Sequence, residues 1–346
     1  MAITSYERLD TTNDITTTRT LLHESIPLTG TIVSGTYGTF PDDNNIKNYT
    51  HEQFQSVYDY PFLSSSANHI YDLSIGFDES SPMSGSVSIT QESKKINMYN
   101  QMSQVLLGYT GSANDVRKFE LDTTLDGSGI MRESLFINFS RLITKDQIKK
   151  GTVTVTLGTG SWDAPFTLLK TLTDASASAT EGTANTLGGD YGVLYDSGNT
   201  ARGVVFYQAG LIALSTSSFD TMTDFFSNSA GTSSVLDTFV SSSITASADA
   251  FRHRVQNISF NNTTEINSSI YFCRVPHNKY NHSANPTYLS ASTIRVKSVN
   301  SDQPISYITT IGLYSSDNEL LAVAKLSEPL RKDPTNELTL RVRLDY

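Results

Sequence analysis

A mainly β fold of the α+β type, with a few surface helices, is what the sequence predicts, on three observations. Runs that alternate apolar and polar residues outnumber runs of helical period. Turn-forming stretches rich in Ser, Thr, Asn and Gly separate them. The clearest alternation closes the chain: in ELTLRVRLDY, Leu338, Leu340, Val342 and Leu344 alternate with Thr339, Arg341, Arg343 and Asp345. A period of two puts four aliphatics on one face and charge on the other, the mark of a half-buried strand. With Ile270–Val275, Tyr307–Tyr314 and Glu319–Leu326, this strand suggests a β-sandwich-like C-terminal core over 267–346. Ser315-Ser316-Asp317-Asn318 is the expected hairpin connection within it.

Residues 1–30 are Thr-rich without sustained periodicity and are expected to form an extended N-terminal arm. Its few large apolar side chains, Leu21, Leu22, Ile26 and Leu28, are the expected assembly contacts. On this view a chain lacking 1–30 folds normally and fails only to assemble. A mixed β domain is expected over 31–160. Gly35, Gly38, Pro41, Pro61 and Pro82 punctuate its aromatic-rich first part, where Tyr49, Phe54, Tyr58, Tyr60, Phe62 and Tyr71 suit a core better than a binding platform. Its one strong helix is expected over 92–107, where Ile96, Tyr99, Met102 and Leu106 recur at spacings of three and four before Gly108. Lys94, Lys95, Asn97 and Gln101 form its polar face. Thr144 and Gln147 read as a capping box that opens a short helix closed by Gly151, between strands at 135–141 and 152–157.

A β-rich middle region is expected over 161–266. The run from Thr173 to Gly189 has the composition of a long loop. A hairpin is expected around Asp196-Ser197-Gly198-Asn199, and one or two short helices within 217–242.

Composition narrows the function. Apolar residues make up 38% and charged residues 17%, and the deficit is filled by Ser, Thr and Asn, as in β-rich particle or extracellular proteins. A net charge of −10 argues against nucleic acid as the main partner, because phosphate binding needs a basic surface. The longest apolar run, 203–214, is too short for a membrane span, and no signal peptide is visible, so no membrane partner is expected. The single cysteine, Cys273, lies in an apolar strand and reads as a buried, inert thiol.

Catalytic signatures fail: phosphate-loop, dinucleotide-fold and nucleophile-elbow patterns are missing, and none of the six histidines has metal-ligand spacing. Asp122, Thr124, Asp126, Gly127 and Glu133 match five positions of a calcium loop. Thr124 and Gly129 depart from that pattern, and a hairpin with FELD and 130–139 as strands explains the stretch better. No metal, cofactor or catalytic residue is assigned, and no enzyme is expected.

The C-terminal run ITTIGLYSSDNELLAVAKLSEPLRKDPTNELTLRVRLDY resembles the C-terminal segment of virion structural proteins of contractile-tailed bacteriophages. In that group a hairpin of this form precedes a closing strand. FINFSRLITKDQIKKGTVTVTLG at 136–158 and GVVFYQAGLIAL at 203–214 are also similar. The resemblance implies a virion component of the tail, baseplate or neck, made and assembled in the host cytoplasm. Its partners would be other virion proteins and copies of itself. No site residues carry over. The rival expectations are a receptor- or glycan-binding module on a tail appendage, with Tyr280 and Tyr288 as stacking residues for a host-surface glycan, and a capsid-associated decoration protein.

Overall fold

A computed structural model describes residues 6–28, 46–58, 65–85, 89–110, 115–159, 166–174, 183–219, 242–283, 287–290, 293–295, 299 and 301–346. With 49% strand against 15% helix, the protein is mainly β, as its alternating runs predict. The strands are β1 (Ile15–Pro27), β2 (Ile46–Asn48), β3 (Gln55–Tyr58), β4 (His69–Phe77), β5 (Glu133–Phe139) and β6 (Gln147–Ile148). Next come β7 (Thr154–Thr159), β8 (Leu168–Thr173), β9 (Thr183–Thr186), β10 (Gly189–Tyr195), β11 (Ala201–Phe206) and β12 (Leu211–Ser215). The last are β13 (Val255–Val275), β14 (Leu289–Ser290), β15 (Thr293–Ile294), β16 (Ser306–Tyr314), β17 (Leu320–Lys332) and β18 (Leu338–Asp345). The α-helices are α1 (Ile89–Leu106), α2 (Arg141–Thr144) and α3 (Ile244–Arg254).

Two compact units divide the chain: Leu22–Thr264, and Met1–Leu21 with Glu265–Tyr346. In the unit Leu22–Thr264, neighbouring strands run β13-β7-β8-β10-β11-β12-β5-β4-β3-β2, antiparallel at every step. Its central strands are buried on both faces. Leu135, Ile137, Val205, Ile212 and Leu214 enter one apolar cluster with Ile244, Ala248 and Phe251 of α3. Their sequence neighbours Phe136, Val204, Phe206, Leu211 and Ala213 enter a second cluster with Tyr99 and Leu106 of α1. The same period of two that usually separates core from solvent here separates one core from another.

Helix α1 is the longest helix among the described residues, as its spacing predicts, and Gly108 ends it with a positive φ of 79°. One face of that expectation fails, because Lys95 is 1% exposed. The cause is Gly76 in β4: a Cβ there would stand 2.8 Å from the Lys95 carbonyl oxygen and 2.8 Å from the Tyr99 amide nitrogen. The bare glycine lets the helix backbone settle onto the strand and carries Lys95 inward with it.

The expected capping box also fails. Thr144 ends α2 and does not open a helix. Its side chain is buried with Oγ1 3.5 Å from the Ser140 carbonyl, Lys145 turns the chain at a φ of 56°, and Gln147 goes on into β6 against Thr263. Of the loop expected over 173–189, residues 175–182 lie outside the described residues, whereas β9 pairs with β10 as a short hairpin. The hairpin at Asp196 is present between β10 and β11, its turn held by Asp196 Oδ1 accepting from the Gly198 and Thr200 amides. The expected helices within 217–242 lie outside the described residues apart from the 3-10 turn at Thr216–Phe219 and Ser242. Gly35, Gly38, Pro41, Tyr60, Pro61 and Phe62 are outside them too.

In the unit Met1–Leu21 with Glu265–Tyr346, β18 pairs antiparallel with the Ser268–Val275 half of β13, and β16 and β17 form the expected hairpin as a separate two-stranded ribbon. Arg274 forms an ion pair with Asp14 here. The expectation that this C-terminal sheet is the core of the protein is overturned. Both apolar clusters lie between Leu28 and Phe260, and among the described residues here only Val275, Leu313 and Val342 are buried apolar ones. Closing strand β18 alternates as expected, yet Leu340 is half-buried and the buried member is Val342. So few elements surround β18 that only the middle of its apolar face is covered. Val342→Asp is therefore expected to cost several kcal/mol, the usual penalty for burying a charge without a partner. Leu340→Asp should cost clearly less and Arg341→Asp least. Urea unfolding of the three variants checks that ranking.

Candidate functional site

The four expected assembly residues fall into two groups. Leu28 is 5% exposed, belongs to the core cluster, and donates its amide to the Ile258 carbonyl at 2.8 Å; Ile26 packs against the same cluster. These two hold the chain to its own core, Leu28 buried in it and Ile26 partly buried against it. Leu21 and Leu22, 43% and 51% exposed on the strand β1, remain available. The N-terminal segment is thus extended, as expected, but paired with β13.

The calcium-loop alignment breaks at Glu133. This residue opens β5 opposite Phe77 and accepts a hydrogen bond from Ser81 Oγ at 2.6 Å. The hairpin reading fits instead: Glu120 bridges Ile130, Leu121 donates to the Gly129 carbonyl, and Met131 donates to that of Phe119. Inside this turn the carboxylates of Glu120, Asp122 and Asp126 each present an oxygen within 4.8 Å of the others. Their oxygens already serve the turn. Glu120 accepts from the Gly127 amide, Asp122 from the Thr124 amide, and Asp126 from the Ser128 amide. Burial, with Asp122 and Asp126 nearby, pushes the Glu120 carboxyl above its ordinary value. A raised folded-state pKa favours folding below the unfolded value, and that contribution fades as pH rises through the folded one. Glu120→Gln, permanently neutral, is therefore expected to melt above the wild type at pH 7, with the gap closing toward pH 4. Paired melting curves across that range test the sign.

Sequence reasoning missed a second polar group. Ser56 and Asp72 stand opposite each other on β3 and β4, so their side chains share a face. Asp72 Oδ1 accepts from Ser56 Oγ at 2.5 Å and lies 2.8 Å from His69 Nε2. Tyr49 Oη is 3.2 Å from Ser56 Oγ, and the bond to Tyr49 together with burial pushes the Tyr58 phenol up to about 12. Beside this group Tyr49 and His51 stack at 5.1 Å and Phe54 tilts against both at 4.8–4.9 Å, all three at least partly exposed. Serine, histidine and aspartate meet here, but in an order that does not activate the serine. Ser56 Oγ donates to the carboxylate and the imidazole addresses the same carboxylate oxygen, so it is Asp72 and not the imidazole that faces Ser56 Oγ. Only the strand register brings these residues together, and no sequence spacing announces it.

Lys95, Arg252, Arg254 and Lys332 are the buried cations among the described residues, and two of them are lysines. Desolvation drops the Lys95 amine to about 8. Lys332 is buried in the C-terminal unit, where its Nζ donates to the His277 and Asp333 carbonyls and to Asn281 Oδ1. Cys273 is half-buried, and burial pushes its thiol up, away from thiolate chemistry.

Most of the exposed large apolar side chains described in the C-terminal unit lie on the β16–β17 ribbon. Tyr307, Tyr314, Leu320, Leu321 and Val323 are each at least half exposed. A Cβ at Gly312 would meet the rings and methyls of Tyr314 and Leu320 within 2.9–3.3 Å, so these two side chains lean across the bare glycine. Tyr6 packs its ring against Tyr314 at 5.8 Å. Tyr280 and Tyr288, the expected stacking residues, are half-buried, and burial pushes both phenols up. Among the described residues no helix is long and apolar enough to cross a membrane. No family model, no curated protein and no solved structure matches this chain.

Proposed function

We propose that this protein is a non-enzymatic structural component of a tailed-bacteriophage virion, in the tail, baseplate or neck. It works by holding subunits together and is made and assembled in the host cytoplasm. The single observation that carries the reading is the poverty of the C-terminal unit's core. Only three apolar residues are buried among its described residues, while a two-stranded ribbon beside them exposes tyrosines, leucines and a valine. An isolated two-stranded hairpin is marginal in water, and exposed large apolar side chains gathered on one element mark protein contacts. The ribbon is also where the sequence resembles contractile-phage virion proteins. Electron microscopy of purified particles bearing a gold label on this chain tests the reading. The expected result is label at one fixed level of the particle; particles that lack the chain overturn it.

A second reading, glycan binding, draws on the partly exposed rings of Tyr49, His51 and Phe54 next to Asp72, a combination suited to stacking on a sugar and accepting its hydroxyls. A glycan array with the purified protein, in which a pure scaffold binds nothing, separates the two.

A further inference from the structure

Strand edges are the parts of a β protein that pair with other chains, and proteins protect them with charge, proline, bulges or shortness. The open edges among the described residues differ sharply in this respect. Strand β1 carries Arg19, His23, Glu24 and Pro27, and β18 carries Arg341, Arg343 and Asp345. Strand β2 has three residues and β9 four. Strand β17 carries Lys325, Glu328, Pro329, Arg331 and Lys332 and holds the irregularities of its own ribbon. Its pairing jumps from Leu330 to Lys325 while β16 advances only from Ile308 to Thr310, and Leu321 is the extra residue opposite the step from Leu313 to Tyr314.

Strand β16 lacks charge, proline and shortness, although its own pairing is irregular at Ile308–Thr310 and Leu313–Tyr314. Its nine residues, SYITTIGLY, contain no charge and no proline, and β17 is its one strand neighbour among the described residues. Thr309, Thr310 and Gly312, in its centre, are exposed.

We propose that β16 pairs antiparallel with β16 of a second copy of this chain, giving a four-stranded sheet in the order β17-β16-β16-β17. The inference rests on the reading of the protein as a subunit that assembles with its own kind. Charge selects the occupant. Two copies each carrying −10 repel, so a seam between them forms where neither contributes charge, and β16 is the long open edge of that kind. Symmetry selects the register. A two-fold axis through an antiparallel pair keeps each residue on its own face of the sheet, so one residue must meet its own counterpart on the axis. For the central exposed stretch that residue is Thr310 or Ile311, and threonine or isoleucine facing itself is a favourable cross-strand pair.

Sedimentation velocity of the full chain over a concentration series tests the proposal, with a species of twice 37.9 kDa expected to grow with concentration. Thr310→Lys should leave the melting curve unchanged, since this side chain is exposed, and shift the dimer's dissociation constant up at least tenfold. Mixing equal amounts of Thr310→Lys and Thr310→Glu should restore the dimer, which a merely structural role for Thr310 would not do. In a Cys273→Ser background, single cysteines at 309–312 should crosslink under mild oxidation most readily at 310 or 311, because paired Cα atoms lie about 4.5–5.5 Å apart. A chain that stays monomeric throughout, a lysine variant that still dimerises, or equal crosslinking at all four positions overturns the seam. Gold-labelled particles containing the Thr310→Lys chain would overturn the seam's role in assembly while leaving the structural-component reading intact. Particles lacking even the wild-type chain would overturn that reading instead.

Discussion

Phe136→Ala should cost about 3–5 kcal/mol of folding stability, the range for removing a large buried aromatic side chain and leaving a cavity. Phe136 is fully buried in the middle of β5, between Ser74 of β4 and Ala213 of β12. Its ring meets Phe119 at 5.6 Å and Tyr99 of α1 at 6.5 Å, so its loss loosens helix, hairpin and sheet together. Phe136→Leu keeps most of the volume and should cost markedly less. Asn138, on the same strand but only half-buried, provides the control, and Asn138→Ala should lie closest to the wild type. Urea unfolding followed by far-UV circular dichroism ranks the three.

The second large effect concerns the N-terminus. Removing residues 1–20 takes away an exposed half-strand with the Arg19–Glu265 and Arg274–Asp14 ion pairs and should leave a folded chain. Removing 1–30 also takes Ile26 and Leu28 out of the core, together with the amide bond from Leu28 to Ile258. Truncating a buried leucine alone costs about 2–5 kcal/mol, so the longer deletion should melt well below the shorter one. This reverses the expectation drawn from the Thr-rich composition of the segment. Leu21→Ala and Leu22→Ala, by contrast, should barely move the melting temperature. A defect in particle incorporation with either one would therefore report a contact with another subunit.

Where local pattern and tertiary environment agree, the sequence was legible. Helix α1, the β10–β11 and β16–β17 hairpins and β18 all follow from spacing and turn residues. The position of the core did not, and β5 and β11 explain why. Strands buried on both faces read as plain apolar runs such as GVVFY, whereas alternation advertises half-buried strands, so the cleanest pattern marked the thinner unit. Lys95 was illegible for another reason. Its burial is decided by Gly76 in a different element, whose missing Cβ lets the helix approach. Ser56, His69 and Asp72 became neighbours through the register of β3 on β4, which no single segment encodes. The acidic turn was half legible, since Asp122 and Asp126 matched a pattern while the third carboxylate, Glu120, lay just before it.

The order of strands has a consequence for the chain as it leaves the ribosome. Strand β5 finds β4 at once, since that neighbour is already made, but its other neighbour is β12, and Ile137 must wait for Ile212. At about 5–20 residues per second that wait lasts roughly 4–15 s. Throughout it the newly made ESLFINF segment presents one unsatisfied edge and its apolar side chains to solvent. Long-range pairing of this kind folds slowly and exposes the nascent chain to aggregation. The half-made sheet is therefore the stage at which shielding the chain matters for the yield of soluble protein.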